Sequence, residues 1–190
     1  MKLYDPLPDS VTVNGKKIRL DLDFRNVLRM LDIMKTDNMM PEAREYLAMK
    51  CICRRPRKGM MESVSRLLFP NTEDRTDHTR ITDFEQDADL IQAAFMQEYG
   101  INLFRDRLHW FEFSALLAGL PQGSRYSEIL SIRARPVPAP TQYNAEERNW
   151  LLRAKSEYSI RMDEKEQAMN YERNVQQIGQ ALASFIGGGE

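Results

Sequence analysis

The chain has 190 residues, 42% of them hydrophobic and 29% charged, which supports a buried core and excludes compositional disorder. Its 27 Lys and Arg against 28 Asp and Glu leave a net charge of -1, which argues against gripping nucleic acid or an anionic membrane through a bulk field. No apolar run approaches the roughly 20 residues of a bilayer span, and the opening Met1-Lys2-Leu3-Tyr4-Asp5-Pro6 lacks the apolar segment of a secretory signal, so a soluble intracellular protein is expected.

Val11 to Leu20 reads as a β-hairpin, because Asn14-Gly15 supplies the positive φ values of a type I′ turn between alternating strands. From Phe24 the period changes. Phe24, Val27, Leu28, Leu31 and Met34 recur at spacings of three and four, predicting a helix to about Lys35. Pro41 suits the first turn of a second helix, with Ala43, Leu47 and Cys51 along one face. A third, short helix carries Met60, Val64, Leu67 and Leu68 and ends at Pro70.

Between these two helices stand Arg54, Arg55, Arg57 and Lys58, while Glu73 to Asp89 holds seven acids and two arginines. The basic run reads either as a phosphate or acidic-partner contact or as a solvated turn that pairs with the acidic stretch. Residues 70–82 read as a polar loop. Phe84, Ala88, Ile91, Phe95 and Tyr99 then mark the strongest helical pattern, closed by Gly100. Asp83, Glu85 and Asp87 are expected in its first turn, where the helix dipole favours carboxylates.

Leu108 to Leu117 is apolar nearly all round and belongs at the centre of a core, with Gly119 and Pro121 ending it. A further helix covers Tyr126 to Arg133, with Ile129, Leu130 and Ile132 inside. The expected core contains Phe84, Ile91, Phe95, Leu108, Trp110, Phe113 and Leu117. Pro136, Pro138 and Pro140 form a stiff extended linker. Beyond it Asn144 to Glu147 resembles a capping box, and helical pattern continues to about Ile186 before a Gly-rich end.

The fold expected is therefore mainly α: a compact helical domain with an N-terminal β-hairpin over 1–135, a Pro-rich linker at 136–142, and a long C-terminal helix within 143–190. In that last helix Val175, Ile178, Leu182 and Phe185, with Ile186 beside them, make one apolar stripe expected to bind a partner. The competing reading folds the stripe back on its own domain.

Chemistry is hard to find. There is no Gly-rich phosphate loop, no Ser elbow and no His-Glu-x-x-His helix. Cys51, Cys53, His78 and His109 complete a minimal zinc inventory, but Cys-x-Cys is not the usual spacing, and two partly buried thiols on a helix is the better reading. His109, inside an apolar run, reads as a hydrogen-bonded core histidine rather than a catalyst. Asp87 and Asp89 lie two apart on a helix and face different directions, which weakens a paired-carboxylate site. No catalytic residue, metal or cofactor is expected. The pairs Met39-Met40 and Met60-Met61 are candidate contact points, because the soft thioether suits an adaptable surface.

Asp83-Phe84-Glu85-Gln86-Asp87-Ala88-Asp89-Leu90-Ile91-Gln92-Ala93-Ala94-Phe95 resembles the F-x-x-D-A-D-x-I-x-x-A-F signature of the bacteriophage gene-product-fifteen family, and the likeness continues in register to Leu103. Leu108 to Phe113, Leu116-Leu117, Gly119-Leu120-Pro121, Ile129 to Arg133, and upstream Pro8, Val13 to Lys17 and Asp23 to Arg25 extend it over residues 3–135. Asn102, often acidic in the family, and Phe111, often Trp, depart from the pattern. The resemblance implies a non-enzymatic tail assembly chaperone of long-tailed phages and prophages, acting in the bacterial host cytoplasm. Its implied partners are the tape-measure protein and the major tail protein, with self-association as a further interaction. Two other readings stay open: a structural tail or adaptor protein retained in the virion, and a nucleic-acid-binding module using Arg54, Arg55, Arg57 and Lys58.

Overall fold

The computed structural model describes residues 4–70 and 81–161. The chain divides into two units, Met1–Pro136 and Val137–Glu190. Among the described residues, seven helices and one two-stranded antiparallel hairpin make the protein mainly α, and no helix is long and apolar enough to cross a membrane.

The hairpin joins β1 (Ser10–Val13) to β2 (Lys16–Arg19), with Val11 opposite Ile18. Asn14 and Gly15 have φ of 49° and 72°, the pair of left-handed residues that a type I′ turn needs. Val11, Val13 and Ile18 face inward while Thr12, Lys17 and Arg19 are exposed, so the alternation in sequence becomes one buried face.

α1 (Phe24–Lys35) starts where the period changes, and the Asp23 carboxylate caps it by accepting from the Arg25 N–H at 3.1 Å. Its core side is Phe24, Val27 and Met30, flanked by half-buried Leu28, Leu31 and Met34. α1 packs along α2 (Pro41–Ile52), which Pro41 begins and which buries Ala48, Met49 and Ile52. Ala43, Leu47 and Cys51 share one face, as their spacing predicts, but it is not the face that packs into the core. Ala43 and Leu47 are exposed and Cys51 is half-buried, because α1 covers the neighbouring side. α3 (Met60–Leu68) buries Met60, Val64 and Leu68 as the spacing predicts, and packs on β1.

The extended connector Leu20 to Phe24 ties these pieces together through the backbone. The Leu20 N–H donates to the Asp9 carbonyl at 2.7 Å and the Asp21 N–H to that of Ile52 at 2.8 Å. The Leu22 carbonyl accepts from the Trp110 N–H at 2.7 Å, and the Phe24 N–H donates to the Leu108 carbonyl at 3.0 Å. One short segment therefore fixes the hairpin, the end of α2 and the chain entering α5.

α4 (Ala88–Tyr99) begins four residues later than Phe84, and Ala88 is exposed. Gly100 closes it at φ 67°, where its N–H reaches the Met96 carbonyl at 3.1 Å. α5 (Trp110–Ala118) buries Trp110 and Phe113 but exposes Ala115, so the helix is a wall of the core rather than wholly enclosed. α6 (Arg125–Ala134) is capped by Ser124 and buries Tyr126 and Ile129, with Leu130 and Ile132 half-buried.

Phe113 is the hub of the core: Phe24 stacks on it at 4.6 Å, Phe95 stacks at 5.4 Å, and Trp110 and Phe84 lie tilted at 5.9 and 6.1 Å. Of the expected core, Ile91, Phe95, Trp110 and Phe113 are buried. Phe84, Leu108 and Leu117 pack on its rim, half-buried, because they lie at or beyond the ends of the covered helix faces.

The second unit contributes α7 (Ala145–Glu157), preceded by non-helical chain through the three prolines. Asn144 does not cap it. Its side chain accepts from the Thr141 N–H at 2.8 Å and donates to the Ala139 carbonyl at 2.9 Å, bracing the proline segment instead. The continuous helix expected to reach Ile186 stops at Glu157: Tyr158, Ser159 and Ile160 are weak helix formers, and the Ser159 hydroxyl takes the Ser156 carbonyl at 3.0 Å. Leu151 and Ala154, three apart, are buried, while neighbouring Trp150 is exposed.

Candidate partner-binding surface

The outward side of α2 carries the surface of interest. At 100° per residue, Ala43, Tyr46, Leu47 and Lys50 lie opposite the buried Ala48, Met49 and Ile52. Tyr46 is 51% exposed and Leu47 42%, and Met40, just before the helix, is 71% exposed. Met40 before the helix, with Tyr46 and Leu47 on its outward face, thus puts three exposed large apolar side chains within eight residues. The Lys50 ammonium lies 5.9 Å over the Tyr46 ring, giving the patch a cationic edge.

The residues singled out by sequence fall in unlike places. Arg54, Arg55, Arg57 and Lys58 are exposed in the turn between α2 and α3. Of the acidic stretch expected to pair with them, Asp83 and Asp87 are buried elsewhere, while Glu73, Asp74 and Asp77 lie outside the described residues. Met40 is a surface residue, but Met60 is fully buried, so the second methionine pair serves the core. Cys51 sits half-buried with its thiol directed to the Leu47 carbonyl at 3.7 Å, and Cys53 is buried at the end of α2. Burial pushes the Cys51 thiol up, partly opposed by the Arg29 charge, so it is a poor nucleophile. His78 lies outside the described residues, as do Val175, Ile178, Leu182, Phe185 and Ile186. Among the described residues no three His, Cys, Asp or Glu side chains are placed to hold a metal ion.

His109 is hydrogen-bonded but not a core residue. It is the N-cap of α5: Nδ1 accepts from the Phe111 N–H at 3.3 Å, and Nε2 donates to the Pro8 carbonyl at 3.1 Å. Glu112 completes the capping box by accepting from the His109 N–H at 3.0 Å. Both ring nitrogens are committed to structure.

The acids of the signature segment have separate roles. Asp83 accepts from the Glu85 and Gln86 N–H groups, both at 2.9 Å, and shapes the turn before α4. Asp87 is 1% exposed and takes a two-pronged contact from Arg133, at 2.7 and 2.8 Å, plus the Asp83 N–H at 3.0 Å. Arg133 also donates to the Ile81 carbonyl at 3.0 Å. The helix dipole is therefore not what places Asp87; a buried ion pair to α6 does. Nearby, burial pushes the Tyr126 hydroxyl up, with the Asp87 charge adding to this and the Thr82 hydroxyl and Arg133 opposing it. Sequence reasoning missed this pair although a signal existed. Asp87 is in phase with Ile91 and Phe95 on α4, and Arg133 with Ile129 and Tyr126 on α6, so each charge falls on a buried face.

Asp23 anchors the other charged cluster. Burial pushes its carboxyl up, but hydrogen bonds from the Arg25 N–H and from the Arg25 and Arg107 guanidiniums outweigh this and hold it below the usual carboxylate range. The arrangement is a positioning device for the connector.

No curated protein and no solved structure matches the chain. The family described as Bacteriophage Gp15 protein matches residues 3–160, which takes in the hairpin, all seven described helices and the signature segment around Asp87. The chain belongs to the bacteriophage Gp15 protein family.

Proposed function

We propose that this protein is a non-enzymatic tail assembly chaperone that binds the tape-measure protein in the host cytoplasm, keeps it soluble and assists recruitment of the major tail protein to the growing tube. The observation that carries this reading is the outward face of α2, where Tyr46 and Leu47, with Met40 just before the helix, stand exposed while Ala48, Met49 and Ile52 are buried on the opposite side. A tape-measure protein is a long amphipathic helix, and its apolar stripe aggregates unless covered; a helix face of this kind offers the complementary cover. Family membership supports a phage role. The C-terminal stripe Val175, Ile178, Leu182, Phe185 and Ile186 belongs to the same proposal as a second contact.

Mass spectrometry of purified virions tests the assignment. A chaperone is absent from finished particles while present in the lysate, and a stoichiometric copy number in the virion would instead make the protein a structural tail or adaptor component.

A further inference from the structure

The end of α2 opens into a groove of about 600 Å³ lined by Arg19, Lys50, Arg54 and Arg107 against a single carboxylate, Asp21. A second groove of about 370 Å³ shares Asp21 and Arg107 and adds Arg25, Arg29 and Arg105 against Asp23. For a chain of net charge -1 this is strong local segregation. The two carboxylates are already engaged: Asp23 by Arg25 and Arg107 at 3.1 Å each, and Asp21 by Arg107 at 3.4 Å. Lys50 donates only to the neutral Arg54 carbonyl, at 2.9 Å, and Arg29 to the neutral Asn26 side chain, at 3.1 Å. No carboxylate among the described residues pairs with Lys50 or Arg54.

We propose that this groove takes an acidic segment of the polypeptide that covers the outward face of α2, a proposal that rests on the partner-binding reading above. Three observations select this occupant. Lys50 belongs to both surfaces, lying over Tyr46 on one side and lining the groove on the other, so an apolar stripe on Tyr46 and Leu47 continues directly into cationic ground. The surplus charge is concentrated at the end of one helix rather than spread along a basic stripe, which matches a short acidic segment rather than a regular run of phosphates. No aromatic ring lines either groove, so nothing there stacks a nucleic-acid base. The partner therefore carries two or more Asp or Glu within a turn or two of its apolar stripe, and these carboxylates fix its direction along α2.

The test uses the full chain and three fluorescein-labelled probes: an amphipathic peptide of about 20 residues with a Leu stripe and a Glu-rich end, the same peptide with a Lys-rich end, and an oligo-dT of similar length. Fluorescence anisotropy is measured at low and high salt, with Lys50→Gln/Arg54→Gln as the groove variant, because both side chains are exposed and their neutral replacements leave packing alone. The expected result is preference for the Glu-ended peptide, a Kd raised about fivefold or more in the variant, and a gap that closes as salt rises. Equal binding of the Glu- and Lys-ended peptides, an unchanged Kd in the variant, or tighter binding of oligo-dT overturns the proposal, the last in favour of nucleic acid. Co-purification with the tape-measure protein separates the two levels. If the unaltered chain brings the tape-measure protein down and Leu47→Asp does not, yet the groove variant binds as before, the groove assignment fails and the functional reading stands. If the unaltered chain brings down none, the functional reading itself fails.

Discussion

Arg133→Met is the substitution with the largest calculable consequence outside the aromatic core. It removes both prongs of the contact to Asp87 and leaves a carboxylate that is 1% exposed with one remaining hydrogen bond, from the Asp83 N–H. An uncompensated charge at such depth costs about 3–5 kcal/mol. That is a large part of the roughly 5–15 kcal/mol that holds a domain together. In urea, with a slope of about 2 kcal/mol/M, the unfolding midpoint followed by far-UV circular dichroism should fall by about 1.5–2.5 M. Arg125→Met is the control, because its pair with Glu128 is 3.5 Å long and at least half exposed on both sides, so its loss costs less than about 1 kcal/mol. Replacing both charges, Asp87→Leu with Arg133→Met, should recover much of the loss, since no orphan remains. If Arg133→Met shifted the midpoint no more than Arg125→Met, the pair would not be what locks α4 to α6.

Trp110→Ala should cost about 3–5 kcal/mol in the same assay, because the ring is 6% exposed and packs against both Phe69 and Phe113; a freely quenched Trp110 in the native protein would contradict this. Asp23 has its carboxyl held low when folded, so its stabilisation is present above the unfolded value of about 3.9 and is lost as pH falls through the folded value. Asp23→Asn should therefore flatten the loss of stability between about pH 4 and more acid conditions relative to the unaltered chain, and an identical acid slope would refute it. Truncation after Asn174 removes Val175, Ile178, Leu182, Phe185 and Ile186 and should leave the thermal transition of the domain in place while weakening self-association or tape-measure binding; unfolding on truncation, with Leu182→Asp harmless to assembly, would make the stripe a core element.

The hairpin and α1 were legible because their signals are local: Asn14-Gly15 demands its turn, and the three–four spacing from Phe24 has only one covered side to choose. α2 was legible only in part. The four-residue spacing of Ala43, Leu47 and Cys51 places them on one face, but periodicity does not say which face another helix covers, and the buried side proves to be that of Ala48, Met49 and Ile52. The uncovered face is the candidate surface. The Asp87–Arg133 pair spans 46 residues and is a fact of tertiary packing; only the misplaced charges on two apolar faces announced it. His109 looked like core because it stands between Leu108 and Trp110, but the chain there pairs with the connector Leu20 to Phe24 and the helix starts only at Trp110, which makes the imidazole its N-terminal cap. The end of α7 leaves little trace in pattern, because weak helix formers rather than a proline or glycine stand directly after Glu157.

The central claim is that the outward face of α2 covers an apolar stripe of the tape-measure protein. Its most direct test co-expresses that protein with the unaltered chain or with Leu47→Asp and measures how much of it stays in the supernatant. Leu47 is 42% exposed on α2, so the aspartate places a charge on the outward face, and an unchanged far-UV circular dichroism spectrum and thermal transition of the purified variant verify that it folds. The expected result is a soluble, stoichiometric complex with the unaltered chain and aggregated tape-measure protein with Leu47→Asp. Equal solubility with both chains would contradict it.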